Sequence, residues 1–313
     1  MFSSLDYDDF LAQLIMHNEP VVIVEGRNDV NLFENLLNSE SVIITAPDLI
    51  YNAENKKGAV INAIIDINNA SNISGTSKHQ KYIGIVDSDF NQLCGNCKII
   101  SNLFYTATHD IDVQIFTSDA LKKMIMFFYK EPDNINIEDV RSICLKISSE
   151  FGLYLLSLYE NGFHSHMKKL NPIHDYFDDT LILNHQKILE KLNELHVNGE
   201  FTEEDLENIK NKLDDRKSQN LDKLHLANGH DVFRVLTMLT LWNMLNLQKK
   251  RISERYRENM LYNPNLRSLL SKELEDLLRT SYDFAFFKKS VLYQNIKNYQ
   301  ENVNIEFIRK KLD

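Results

Sequence analysis

Two short acidic motifs each close a strongly apolar run: VVIVEGRND at residues 21–29 and YIGIVDSDF at 82–90. Glu25 follows four consecutive β-branched residues, Asp29 lies four positions further on, and Asp87 and Asp89 end the second run. Such apolar runs read as buried strands. In an open parallel sheet the carboxyl ends of neighbouring strands converge on one crevice, which is where Glu25, Asp29, Asp87 and Asp89 can meet. Carboxylates sharing a site repel one another, and a divalent cation is the usual remedy. The residue types therefore point to metal-assisted phosphate chemistry. Gly26 suits a turn leaving a buried strand. Asp87 and Asp89 face the same side if the extended backbone continues through them.

The elements that must position these groups alternate. The pattern predicts a helix over 4–17, a strand over Val21–Val24, a helix over Val30–Leu37 and a strand over Ser41–Thr45. A helix over Ala59–Ile67, a polar loop at 68–80, a strand over Tyr82–Val86 and a short strand near Leu103–Thr106 follow. Alternating strands and helices imply an α/β domain with a mostly parallel, Rossmann-like sheet flanked by helices, placed at residues 1–130. From 131 to 313 the period becomes helical, as in Val140–Tyr159, Leu181–Leu195, Thr202–Lys212 and Val232–Leu247. This second part reads as a helical domain for substrate, partner or dimer contacts. Thr202 and Asp205 form a capping-box pattern.

The chain has 313 residues, 43% of them hydrophobic, which is enough for two cores. Its start is acidic and lacks the features of a secretory signal, and no apolar run reaches membrane-spanning length. Three cysteines, Cys94, Cys97 and Cys144, suit a reducing cytoplasm, the expected location. A lone C-x-x-C without a second pair argues against structural zinc, and its polar loop context argues against a thioredoxin-like role. No phosphate-binding G-x-x-x-x-G-K-[ST] loop is present. The formal charge of −10 argues against nonspecific coating of nucleic acid. Residues 243–313 nevertheless carry 14 Lys and Arg against 9 Asp and Glu. This tract, including Lys249, Lys250 and Arg251, is the electrostatic candidate for a phosphate-backbone contact or for a solvated helical surface.

Glu25-Gly26 after one strand and Asp87-Ser88-Asp89 after another resemble the TOPRIM domain, over roughly residues 20–116. The domain is shared by topoisomerases, bacterial primases, OLD-family nucleases and small RNA-maturation nucleases. The resemblance implies that Glu25 acts as general acid or base or as a metal ligand, while Asp87 and Asp89 hold Mg²⁺ or Mn²⁺. Asp29 reads from the residues as a helix-terminus stabiliser; the resemblance adds a role near a second metal. His109, Asp110 and Asp112 match an acidic HD-x-[DE] element that follows the last strand in similar sequences, and Asp110 and Asp112 are candidate metal-facing groups.

In Asn228-Gly229-His230-Asp231, Asp231 reads as a helix cap and Gly229 as the turn. A similar NGHD element in defence-associated TOPRIM proteins makes His230 a candidate contact to the scissile phosphate or to the leaving oxygen. The whole layout is similar to the effectors of PARIS-type anti-phage systems. It implies an Mg²⁺- or Mn²⁺-dependent endonuclease held by an ABC-type ATPase partner, released as a homodimer, and cutting host tRNA. An OLD-like DNA nuclease and a non-catalytic TOPRIM interaction module are the competing readings.

Overall fold

In the computed structural model, residues 6–51, 53, 55–74, 78–129, 132–177, 182–242 and 263–308 are described. Lys249, Lys250 and Arg251 lie outside them, as does the end of the helix expected to reach Leu247. The chain forms two compact units. One comprises residues 1–88, 97–107 and 282–313, and the other residues 89–96 and 108–281.

The first unit is built on four parallel strands, β1 (Val21–Ile23), β2 (Ile43–Thr45), β3 (Tyr82–Val86) and β4 (Leu103–Tyr105), in the order β2-β1-β3-β4. Helices α1 (Tyr7–Met16), α2 (Arg27–Leu36) and α3 (Lys56–Ser74) connect and flank them. Every residue of β1 and β3 is buried, which explains their unbroken apolar sequence. The core joins Phe10 and Leu14 of α1 and Val60, Ala63, Ile64 and Ile67 of α3 to Val21, Ile23, Tyr82 and Val86 of the sheet.

Helix α3 outruns its expected end at Ile67 and takes in the Asn-rich stretch to Ser74. Asn68 and the fully buried Asn102 exchange amide hydrogen bonds of 2.9 and 3.2 Å, and Asn102 also donates to the Tyr82 carbonyl at 2.9 Å. A tertiary partner thus outweighs the weak helix propensity of asparagine. The C-terminus belongs to this unit as well. With α13 (Pro264–Ser281) preceding them in the other unit, α14 (Phe284–Phe287) and α15 (Val291–Val303) return to the sheet. Phe287 packs edge-on to Phe33, Tyr299 packs edge-on to Phe104, and the Tyr299 hydroxyl donates to the Gln80 carbonyl at 3.1 Å.

The second unit is helical. Besides the short α4 (Asn91–Cys94), it contains α5 (Ile111–Phe116), α6 (Ala120–Phe128), α7 (Ile137–Glu160), α8 (His164–Leu170), α9 (His185–Val197), α10 (Glu203–Ser218), α11 (Lys223–Leu226), α12 (Gly229–Trp242) and α13. The unit boundaries therefore differ from a division at residue 130: α5 and α6 join the helical unit because all of α5 is buried and packs on α12 and α13. Thr202 and Asp205 form the expected capping box. Among the described residues no helix is long and apolar enough to cross a membrane.

Helix α7 lies against α10, α11 and α12. Its close approach to α11 needs Gly152, where an added Cβ would stand 2.1 Å from the Leu226 carbonyl oxygen. Backbone cannot yield as a flexible side chain does, so Gly152→Ala is expected to destabilise the fold by about 1–3 kcal/mol or more. A fall in the urea midpoint at an unchanged denaturant slope is the outcome that chemical unfolding should give.

Candidate functional site

Strands β1 and β3 are neighbours, and the connections leaving them run to opposite flanks of the sheet order, so their carboxyl ends lie at the point where the order reverses. Glu25 and Asp87 both fall there. Glu25 Oε1 accepts the Asp87 backbone N–H at 2.8 Å, so the two acidic motifs are in direct contact. The Glu25 carboxylate thereby supports the Asp87 backbone through a charge-assisted bond.

Asp29 closes the turn after Glu25. It sits at the third position of α2 and accepts the Gly26 N–H at 3.1 Å, which satisfies one of the helix's free donors. Asp48 was not singled out by the sequence. It follows β2 on a 3-10 turn (Pro47–Leu49), accepts Lys56 Nζ at 2.8 Å and the Arg27 N–H at 3.4 Å, and has its other oxygen, Oδ1, buried without a hydrogen-bond partner. A Cβ at Gly26 would lie 3.5 Å from Asp48 Oδ2 and 3.8 Å from Lys56 Nζ.

The extended geometry does not persist through the second motif. Strand β3 ends at Val86, and Asp89 adopts the left-handed region with φ of 46°. Strand alternation therefore does not fix the Asp89 side chain relative to Asp87; aspartate is among the few residues that tolerate this backbone. Within the helical unit the Asp89 N–H donates to the His109 carbonyl at 2.6 Å, and Phe90 is buried against His109 and Tyr159. His109 is itself buried, with Nδ1 2.9 Å from the His225 carbonyl, and since a carbonyl only accepts, Nδ1 carries the proton of that bond. Nε2 then faces Asp89 Oδ1 at 3.8 Å.

The HD-x-D and NGHD elements meet in the helical unit. Asp110 Oδ1 accepts the Val113 N–H at 2.8 Å as the cap of α5, and Oδ2 accepts the Gly229 N–H at 2.7 Å. Gly229 lies inside α12, and the cap is Asn228, whose Oδ1 accepts the His230 N–H at 3.0 Å. This corrects the assignment of the cap to Asp231 and of the turn to Gly229. Gly229 is needed for space, since an added Cβ would fall 2.5 Å from Asp112 Cβ and 2.7 Å from Asp110 Oδ1. Asp231 is buried and pairs with Arg234 at 2.9 Å; burial raises its carboxyl against the pull of that guanidinium.

Asp112 is gripped by both arms of Arg279, with Nε at 2.7 Å and Nη2 at 2.8 Å. Burial still pushes its carboxyl up to about 6 against the pull of Arg279. His230 Nδ1 lies 3.2 Å from Glu275 Oε2, and that hydrogen bond raises the imidazole to about 9. Burial works to raise Glu275, but His230 and the Arg279 charge outweigh it and hold this carboxyl low. Glu275 and Arg279 were hidden within a tract read only for its net charge, although their i, i+4 spacing was visible.

Among the described residues no three His, Cys, Asp or Glu side chains converge as a metal cage. Asp110 and Asp112 already hold backbone N–H groups and Arg279, so their described bonds tie α5 to α12 and α13. Cys94, Cys97 and Cys144 form no disulfide with one another. The chain matches no protein-family model and no curated protein.

Two outcomes are expected. Arg279→Met leaves a buried carboxylate unpaired and should cost about 3–5 kcal/mol, part of which Asp112→Asn restores in the double variant. The His230–Glu275 pair raises the imidazole above its ordinary 6.5 to about 9, so its stabilisation is full below about 6.5 and fades as pH rises through 9. The thermal-midpoint gap between wild type and His230→Ala should accordingly narrow from pH 6 to pH 9.5; a constant gap would contradict the assignment.

Proposed function

We propose that the chain is a metal-dependent TOPRIM-type endonuclease, with Glu25 and Asp87 as its central acids. The observation that carries the reading is the 2.8 Å bond from the Asp87 amide to Glu25, at the point of the sheet where α/β folds bind ligands. The donor set fits Mg²⁺ or Mn²⁺ better than zinc. Mg²⁺ needs only one or two protein carboxylates and completes its shell with water and substrate phosphate, so a three-ligand protein cage is not required. Bound there, the ion would supply a polarised phosphate and an activated water for phosphodiester hydrolysis.

The chain's own groups do the positioning. The Asp87 N–H fixes the direction of the Glu25 carboxylate, and Asp29 holds the Gly26 turn that follows it. The resemblance adds Asp89 as a further ligand, while His230 is proposed as a phosphate contact whose raised imidazole is cationic near neutral pH. On the same resemblance the substrate is tRNA and the enzyme is an AriB-like effector of a PARIS-type defence system. An AriA-like ABC-type ATPase restrains it until release, and the free form is a homodimer in the cytoplasm.

Incubation of the purified protein with Mg²⁺ or Mn²⁺ and separate tRNA and plasmid substrates tests this. Cleavage of tRNA is expected, with Glu25→Ala, Asp87→Ala and Asp89→Ala each slowing it by at least about a hundredfold. Cutting of the plasmid alone would favour the OLD-like DNA nuclease. Failure to cut either substrate, with either metal and with the ATPase absent, would favour the interaction module.

A further inference from the structure

A cation stands beside the turn that follows Glu25. Lys56, the first residue of α3, donates from Nζ to Asp48 Oδ2 at 2.8 Å, and the same oxygen accepts the Arg27 N–H at 3.4 Å. A Cβ placed on Gly26 would lie 3.5 Å from Asp48 Oδ2 and 3.8 Å from both Asp29 Oδ2 and Lys56 Nζ. Three charged side chains, from α2, the turn after β2 and α3, thus reach one point above the Gly26 backbone. Gly26 adjoins Glu25, whose carboxylate accepts the Asp87 N–H. All of these residues belong to the α/β unit.

Stability alone does not account for the Lys56–Asp48 pair. The Lys56 side chain is 45% exposed and that of Asp48 20%, and ion pairs so open to water contribute little. Asp48 meanwhile keeps Oδ1 buried without a hydrogen bond, which is unfavourable. What the pair secures is position. Among the described residues Lys56 bonds Asp48 alone, so two of its three N–H donors are open to an incoming anion. A strand phosphate arriving at Glu25 and Asp87 brings negative charge to a place already acidic. A cation fixed beside that place in advance offsets the repulsion without having to reorganise.

We propose that Lys56 contacts the substrate phosphate at the sheet-end site and that Asp48 is the residue that positions it. The proposal rests on the nuclease reading of that site and names the group that takes the strand's backbone there. An ammonium binds phosphate as a point charge, so Lys56 holds a phosphodiester oxygen and leaves the base unread. Asp48 does not touch the strand; it acts by holding Lys56 Nζ against the Gly26 turn.

The test is the affinity of the full chain for fluorescently labelled tRNA and for a labelled DNA duplex, measured over a salt series with Ca²⁺ in place of Mg²⁺ to keep the strands uncut. Lys56→Met should weaken binding of the preferred strand by about tenfold and lower the salt slope by roughly one, and Lys56→Arg should recover most of the affinity. Lys57→Met removes the same charge from the next residue, whose ammonium lies 5.9 Å from the centre of the Tyr105 ring, and should change affinity by less than about threefold. The Lys56→Met, Asp48→Asn double variant should regain the thermal midpoint without regaining affinity; a purely structural pair would regain both. Unchanged binding in Lys56→Met, equal losses in Lys56→Met and Lys57→Met, restored affinity in the double variant, or no binding of either strand by the wild type would each overturn the proposal. Cleavage followed in parallel with Mg²⁺ keeps the two claims apart. A wild type that binds through Lys56 and cuts nothing sinks the nuclease reading and keeps the contact, whereas Lys56→Met that binds and cuts as the wild type does sinks the contact and keeps the reading.

Discussion

The hydrogen bond from the Asp87 amide to the Glu25 carboxylate joins the two ends on which the sheet-end site depends. Strands β1 and β3 are short, wholly buried and in parallel register, so the residues that leave them emerge side by side. At the reversal of strand order the following segments diverge, and nothing in the ladder itself ties the exits together. A charge-assisted bond across that gap fixes the carboxylate and the start of the second acidic motif in one step, and such bonds contribute about 1.5–3 kcal/mol. The same contact brings the Glu25 carboxylate to the start of the second acidic motif, and acids gathered at one place favour a cation.

The helical unit relies on a different device. Asp112–Arg279, Asp231–Arg234 and Glu160–Arg216 are ion pairs between groups that are mostly or wholly withdrawn from water. Such pairs add little net stability, yet breaking one strands a charge. Asp110 and Asp112 meet Gly229 at distances that leave no space for a methyl group, so α5 and α12 have one workable alignment. Two motifs more than a hundred residues apart thereby serve each other as structural partners.

Much of the α/β unit was legible because its signals are local. The runs before Glu25 and Asp87 gave β1 and β3, and the acids after them marked the crevice. What stayed hidden depended on distant partners. The extension of α3 needs Asn102, the left-handed Asp89 comes where the chain leaves the sheet, and the return of Tyr299 and Phe287 needs Phe104 and Phe33. Asp48 carries no local signal, because a lone acid after proline has no periodicity to announce it, and its relation to Gly26 exists only once β1 and β2 are paired. Arg279 was visible as charge but not as the clamp on Asp112, since 167 residues separate them.

The central claim is that the Glu25–Asp87 contact is where a divalent cation binds. Paramagnetic broadening of backbone amide resonances by Mn²⁺, which falls off steeply with distance from the ion, tests it without substrate or partner. The account predicts that the Gly26 and Asp87 amides broaden first at low Mn²⁺ and that Glu25→Gln removes this effect while leaving the rest of the spectrum in place. Broadening that begins around Asp110 and Asp112, or that persists at Asp87 in the Glu25→Gln variant, would contradict it.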